Sequence, residues 1–207
     1  MTGNKTGPKP RFNRKQAISA ALELRLDQFT MSQVAQALGV APSALYRVFA
    51  SREELLAACL DQILDDMGLD QPNSKNATQT WQQILRNFVE TCWQACERYP
   101  GLAQVIMLDP NAPSRAAKQM EVLIHRLNTL GVSKGQALFA LDFLGDIVFA
   151  THIAIQPYRQ LAPETLQGYT NSGLPFEFRE QWTNRGNLDE KVGFIITALS
   201  SSWPELQ

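Results

Sequence analysis

The chain has 207 residues, 44% apolar and 19% charged, with a net charge of −1 at pH 7. That composition supports a sizeable core and excludes a largely disordered chain. No uninterrupted apolar run reaches the roughly 18 residues that span a bilayer, and the polar, basic start MTGNKTGPKPRFNRK lacks the apolar stretch of a secretory signal.

The three cysteines, Cys59, Cys92 and Cys96, form no disulfide framework, which together with the missing signal points to the cytoplasm. The small net charge conceals an asymmetry. Residues 1–52 hold eight lysines and arginines against two acids, a net of +6; the remainder hold eleven against eighteen, a net of −7. A basic head on an acidic body suits a polyanionic partner for the head.

Residues 1–12, with two prolines and two glycines among polar and basic side chains, read as a flexible arm. Helical spacing then runs from about Asn13 to Asp27, with Ile18, Ala21, Leu22 and Leu26 on one stripe. Thr30-Met31-Ser32-Gln33 fits a capping box that opens a short helix. Gly39 ends that helix, and Pro42 fits the first turn of the next, whose inward face is Leu45 and Phe49. Ser51-Arg52-Glu53-Glu54 is a second capping box, opening a longer helix that carries Leu55, Leu56, Cys59, Leu60, Ile63 and Leu64.

Residues 68–77 read as a loop. Helices are expected at about 78–98, 101–108, 113–130, 133–156 and 188–203, with Ser133-x-x-Gln136 and Asn187-x-x-Glu190 as caps for the last two. Residues 157–187, rich in proline and glycine, read as a loop with short helical pieces. The fold class expected is all-α. A basic arm (1–12) and a three-helix DNA-binding domain with a helix-turn-helix (13–60) precede a helical effector-binding and dimerisation domain (61–207).

The segment FTMSQVAQALGVAPSALYRVFASREELL carries the chemistry. Two short helices around a glycine turn, then a third, offer a recognition helix to the major groove. Small residues Ala41, Ser43 and Ala44 allow close approach to base edges, and Tyr46 and Arg47 can reach phosphates or bases. Thr30 and Arg52 stand at helix starts, where a hydroxyl, free N–H groups and a cation suit a phosphate.

At these residues the chain resembles the TetR family of bacterial regulators. The pattern is Phe29-Thr30-Met31, Val34-Ala35, Leu38-Gly39-Val40, Leu45-Tyr46, Phe49, and Arg52 with Leu55-Leu56. Upstream, Ile18-x-x-Ala21-Leu22 and the basic arm from Gly7 to Phe12 agree with it. The resemblance implies a homodimer reading a pseudo-palindromic operator, and a helical body that binds a small molecule and alters the spacing of the heads. It implies phosphate contacts from Thr30, Tyr46 and Arg52, and base or near-base contacts from Ser32, Gln33, Pro42, Ser43 and Arg47. Lys9 and Arg11 of the arm are candidates for the minor groove. Ser32 departs from the family, many members of which have arginine there. Gln33 serves equally as a capping side chain.

In the body, Phe88, Trp93, Phe143 and Phe149, with Gln104, His125, Asp146 and His152, are candidates to line an effector site, against the alternative of a plain packed core. Cys92 and Cys96, at i and i+4, read as buried small hydrophobes, and neither a metal nor another cofactor is expected. The apolar faces of 133–156 and 188–203 are broad enough for subunit contact. The function expected is a ligand-released repressor; the alternatives are a DNA-binding regulator without an effector, or an activator. No Ser/His/Asp order, phosphate loop or metal cluster suggests an enzyme.

Overall fold

The computed structural model describes residues 12–69, 79–170 and 183–204. Every element among them is helical: α1 (Arg14–Leu22), α2 (Met31–Ala37), α3 (Pro42–Leu45), α4 (Arg52–Met67), α5 (Trp81–Arg98), α6 (Leu102–Leu108), α7 (Ala112–Arg115), α8 (Ala117–Asn128), α9 (Lys134–Arg159), α10 (Pro163–Thr170) and α11 (Leu188–Ser201).

Local signals start most of them. Full capping boxes, with reciprocal side-chain and backbone bonds, open α1 at Asn13/Gln16, α2 at Thr30/Gln33, α5 at Thr80/Gln83 and α9 at Ser133/Gln136. At α4 only half the box forms. Ser51 accepts the Glu54 N–H, but the Glu54 carboxylate turns to the Ala50 N–H and to Arg14. The cap expected from Asn187 does not form; its backbone lies at φ −101°, ψ 35°, and its side chain makes no cap bond.

Three other expectations need correction. First, α1 stops at Leu22, well short of Asp27, because the Leu26 N–H donates instead to the Pro100 carbonyl at 2.8 Å. Second, the helix expected over 113–130 is broken at Ala116 (φ −81°, ψ −2°) into α7 and α8. Third, α9 runs through Pro157 to Arg159. A proline so near a helix end costs one ladder bond and the chain leaves the helix within a turn.

Two apolar cores form. The first gathers Phe12, Ala17, Leu26, Phe29, Val34, Leu45, Phe49, Leu55 and Ile63 from the head. It is completed by Ala95, Cys96 and Tyr99 near the end of α5 and Leu102 and Ala103 at the start of α6. The second core packs α5, α8, α9 and α11 around Leu85, Leu127, Leu144 and Leu188. α5 thus straddles both.

Gly101, in the α5–α6 turn, lies at a close approach between head and body. It adopts φ +87°, and a Cβ there would overlap Asp27 Oδ1 and lie 2.7 Å from the Asp27 backbone nitrogen. Glycine alone fits both the conformation and the space.

Helix α9, about 39 Å long at 1.5 Å per residue, has a mean hydropathy of 1.8 in its most apolar stretch and could cross a membrane by length and composition. Its apolarity has another account. One side, from Ala137 through Leu144 and Val148 to Ile155, is buried in the second core. The other carries Leu138 and Phe143 to the surface, the latter beside α11.

Candidate nucleic-acid interface

The reading face is built by what the head buries. Val34 and Ala35 of α2, with Leu45 and Phe49, are fully buried. That burial turns Ser32, Gln33, Pro42, Ser43, Tyr46 and Arg47 outward, all exposed. Gly39 (φ +65°) ends α2, with the Val40 N–H returning to the Ala35 carbonyl, the left-handed helix end that glycine favours. Pro42 opens α3, and the chain coils one further turn to Phe49, whose N–H donates to the Leu45 carbonyl at 3.0 Å. Ser43, Tyr46 and Arg47 lie at i, i+3 and i+4 and share one face. Tyr46 is 52% exposed, which leaves its ring and hydroxyl free to reach a partner on this face.

Two expected roles change in the light of the geometry. The Thr30 hydroxyl accepts the Gln33 N–H at 3.2 Å, and Gln33 Oε1 accepts the Thr30 N–H at 2.8 Å. Gln33 therefore spends its acceptor on the cap and has only its amide nitrogen to offer a base. Arg52, expected on a phosphate, is an internal strut. Its Nε donates to the Phe29 carbonyl at 2.7 Å and Nη2 to the Leu26 carbonyl at 2.9 Å. Its guanidinium also lies 4.7 Å from the centre of the Phe29 ring. The carbonyls that precede α2 would otherwise be left without partners. Lys9 and Arg11 lie outside the described residues.

The body divides the eight effector candidates. Phe88, Trp93 and His152 are buried, and Gln104 and Phe149 half-buried. His125, Phe143 and Asp146 are exposed. His125 lies away from the buried Leu123, Ile124 and Leu127 of α8, and Phe143 and Asp146 lie on the outward side of α9. These three do not join an interior site.

Trp93 and His152 meet edge to face at 5.2 Å. Around them stands a polar cluster that sequence spacing did not reveal. His152 Nε2 lies 3.0 Å from Glu97, which also pairs with Arg159 at 2.7 Å. Arg185, paired with Glu90 at 3.0 Å, lies 4.9 Å from the centre of the Trp93 ring. Burial holds the His152 imidazole below its ordinary pKa, against the opposing pull of Glu97. His152 Nδ1, Gln104 Oε1 and Gln119 Oε1 are buried without partners among the described residues, a cost that a bound molecule or water would relieve.

Burial pushes the Cys96 thiol up to about 12 and the Cys92 thiol higher still. Both stay protonated and behave as small hydrophobes. Outside, α9 and α11 flank an apolar groove of about 560 Å³, lined by residues including Phe139, Phe143, Ile147, Phe194 and Leu199. Phe194 is 77% exposed.

A helix-turn-helix with an outward reading face, set on an all-helical body, is the architecture of a DNA-binding transcriptional regulator. The profile described as "Bacterial regulatory proteins, tetR family" matches residues 18–59. An HTH-type transcriptional repressor of Mycobacterium tuberculosis is 28% identical over 130 residues, 59% of this chain and 49% of its own length. An uncharacterized HTH-type transcriptional regulator of Mycobacterium bovis matches to the same extent. The match thus spans about half the length of these curated relatives.

Among solved structures, a possible TetR family transcriptional regulator from Streptomyces coelicolor superposes with a TM-score of 0.70 at 20% identity, over 91% of this chain and 99% of that one. A TetR variant from Acinetobacter baumannii, solved with minocycline, does so with a TM-score of 0.70 at 17% identity, over 95% and 97%. Residues 18–59 of the head are thus similar to the TetR family of bacterial regulatory proteins, and the chain shares the fold of the two solved regulators. These relatives are described as regulators.

Proposed function

We propose that the chain is a cytoplasmic homodimeric repressor that binds a pseudo-palindromic DNA operator and is released from it by a small molecule. The observation that carries the DNA reading is the exposed set Ser32, Pro42, Ser43, Tyr46 and Arg47 on one side of a head whose apolar side chains are spent inward. Arg47 is the only cation on the reading helix. Close packing of small residues and contacts to phosphate therefore supply much of the affinity. Thr30 and Tyr46 hold phosphates, Gln33 reaches a base through its amide nitrogen, and Lys9 and Arg11 extend the contact into the minor groove.

The second copy docks through α9 and α11. Phe143 and Phe194 expose large apolar side chains in the groove, a concentration that a second copy would bury. The effector reading is supported by the unpartnered polar atoms of Gln104 and His152, and by the neighbour solved with minocycline. An effector that prefers the DNA-incompetent arrangement weakens DNA binding, and DNA weakens effector binding by the same factor.

The test is selection of duplexes from a random pool, followed by titration of the recovered sequence. Tyr46→Ala and Arg47→Ala are each expected to weaken binding by about 1–3 kcal/mol. A wild-type chain that recovers no preferred duplex refutes the DNA reading.

A further inference from the structure

Residues 48–51, which join the reading helix to α4, are held by one ion pair from outside the segment. Arg14, the first residue of α1, donates from Nη1 to the Val48 carbonyl at 3.1 Å and to Glu54 Oε1 at 3.1 Å. Its guanidinium carbon lies 4.0 Å from the centre of the Phe49 ring, which is fully buried. The other oxygen of Glu54 accepts the Ala50 N–H at 2.7 Å. The half-exposed Arg14–Glu54 pair thus touches a carbonyl, a ring and an N–H on three successive residues. A flat guanidinium can stack and donate at once, which an ammonium cannot.

Ser43, Tyr46 and Arg47 lie immediately before this junction. They leave their helix in whatever direction residues 48–50 allow. We propose that Arg14 and Glu54 are positioning residues for DNA reading: they set the angle of the recognition helix against α1 and α4 without touching DNA. This rests on the DNA-binding function proposed above. It separates two kinds of basic residue in the head. Arg14 acts inward, through Glu54 and Val48, whereas Arg47 acts outward.

The charges of the pair make the test decisive. Loss of Glu54 leaves the head more positive, so electrostatics alone would tighten its hold on any duplex. Loss of positioning would weaken only the preferred duplex. We would measure wild type, Arg14→Met and Glu54→Gln on the duplex recovered by selection and on a scrambled duplex of equal length, across a salt series. Circular dichroism and thermal melts would verify folding.

The expected result is that both variants lose about tenfold or more of the preference for the selected duplex, the scale of one lost specific base contact. Glu54→Gln should bind the scrambled duplex at least as well as wild type. Arg14→Met should keep the wild-type salt slope. A direct phosphate contact would instead lower that slope by about one and weaken both duplexes alike, which would overturn the proposal. Unchanged preference in Glu54→Gln overturns it as well, and that near-isosteric variant decides the matter should Arg14→Met fail to fold. A wild-type chain that recovers no preferred duplex would refute the underlying DNA reading, a different failure from a selective wild type whose variants stay selective.

Discussion

Replacing Gly101 by alanine places a methyl group where body and head touch, and the structure allows its cost to be divided. The backbone there is at φ +87°, which costs an alanine on the order of 1 kcal/mol after allowing for its narrower unfolded ensemble. The new Cβ would also lie 2.7 Å from the Asp27 backbone nitrogen, an overlap that no side-chain rotation removes. The loop carrying Asp27 must move. The Leu26 N–H bond to Pro100 is then strained, at about 1 kcal/mol. The fully buried Leu26 is partly lifted from the core, at about 1–2 kcal/mol.

The total is about 3–4 kcal/mol. Gly131 supplies the control, with φ +86° and nothing within 4 Å of its would-be Cβ, so Gly131→Ala should cost only about 1 kcal/mol. Urea unfolding of both variants and wild type, at one protein concentration because an oligomer is expected, measures the difference. Costs for the two variants within about 0.5 kcal/mol of each other would show that head and body are not in tight contact at this point.

Arg52→Ala should lower stability by about 2 kcal/mol, because charged donors to the Phe29 and Leu26 carbonyls are lost; urea unfolding would show it, and an unaffected midpoint would mean the strut carries no load. The folded-state pKa of His152 lies below its ordinary value of 6.5, so the unfolded chain takes up the proton first. Wild type should therefore lose stability as pH falls below about 6.5, and His152→Gln should be flatter between pH 7 and 5 in denaturant titrations. Parallel curves for the two proteins would refute the assignment. Phe194→Asp should convert the proposed dimer to monomer in sedimentation at micromolar concentration while preserving helicity, since the exposed ring would give way to a charge in a desolvated contact; a dimeric variant would place the interface elsewhere.

What could be read from the sequence was local. The Thr30/Gln33 and Ser133/Gln136 caps, the Gly39 stop and the Pro42 start each depend on residues within a few positions, and each forms. The outward set at 43, 46 and 47 followed from Leu45 and Phe49 facing in. What escaped was non-local. The early end of α1 depends on Pro100, distant in the chain. Arg52 looked like a surface cation because its carbonyl partners have no side-chain signature. Glu97, Arg159 and Arg185 meet around Trp93 only once α5, α9 and the segment before α11 are folded. The error over Phe143 and Asp146 has a related origin. A helix as apolar as α9 shows weak periodicity, so its inward and outward sides are hard to distinguish before its neighbours are placed.

The head's core is not closed by the head alone, since Ala95, Cys96, Tyr99, Leu102 and Ala103 complete it. This limits how portable the DNA-reading unit is. A chimera joined at residue 60 would graft a foreign seam under Leu26 and Phe29, leaving a gap or an overlap where Gly101 now fits. Exchanging operator specificity between relatives would therefore be cleaner through the exposed residues of α2 and α3, or by transplanting the head together with residues 95–103. The sequence that names the DNA and the sequence that seats the reader are written some fifty residues apart.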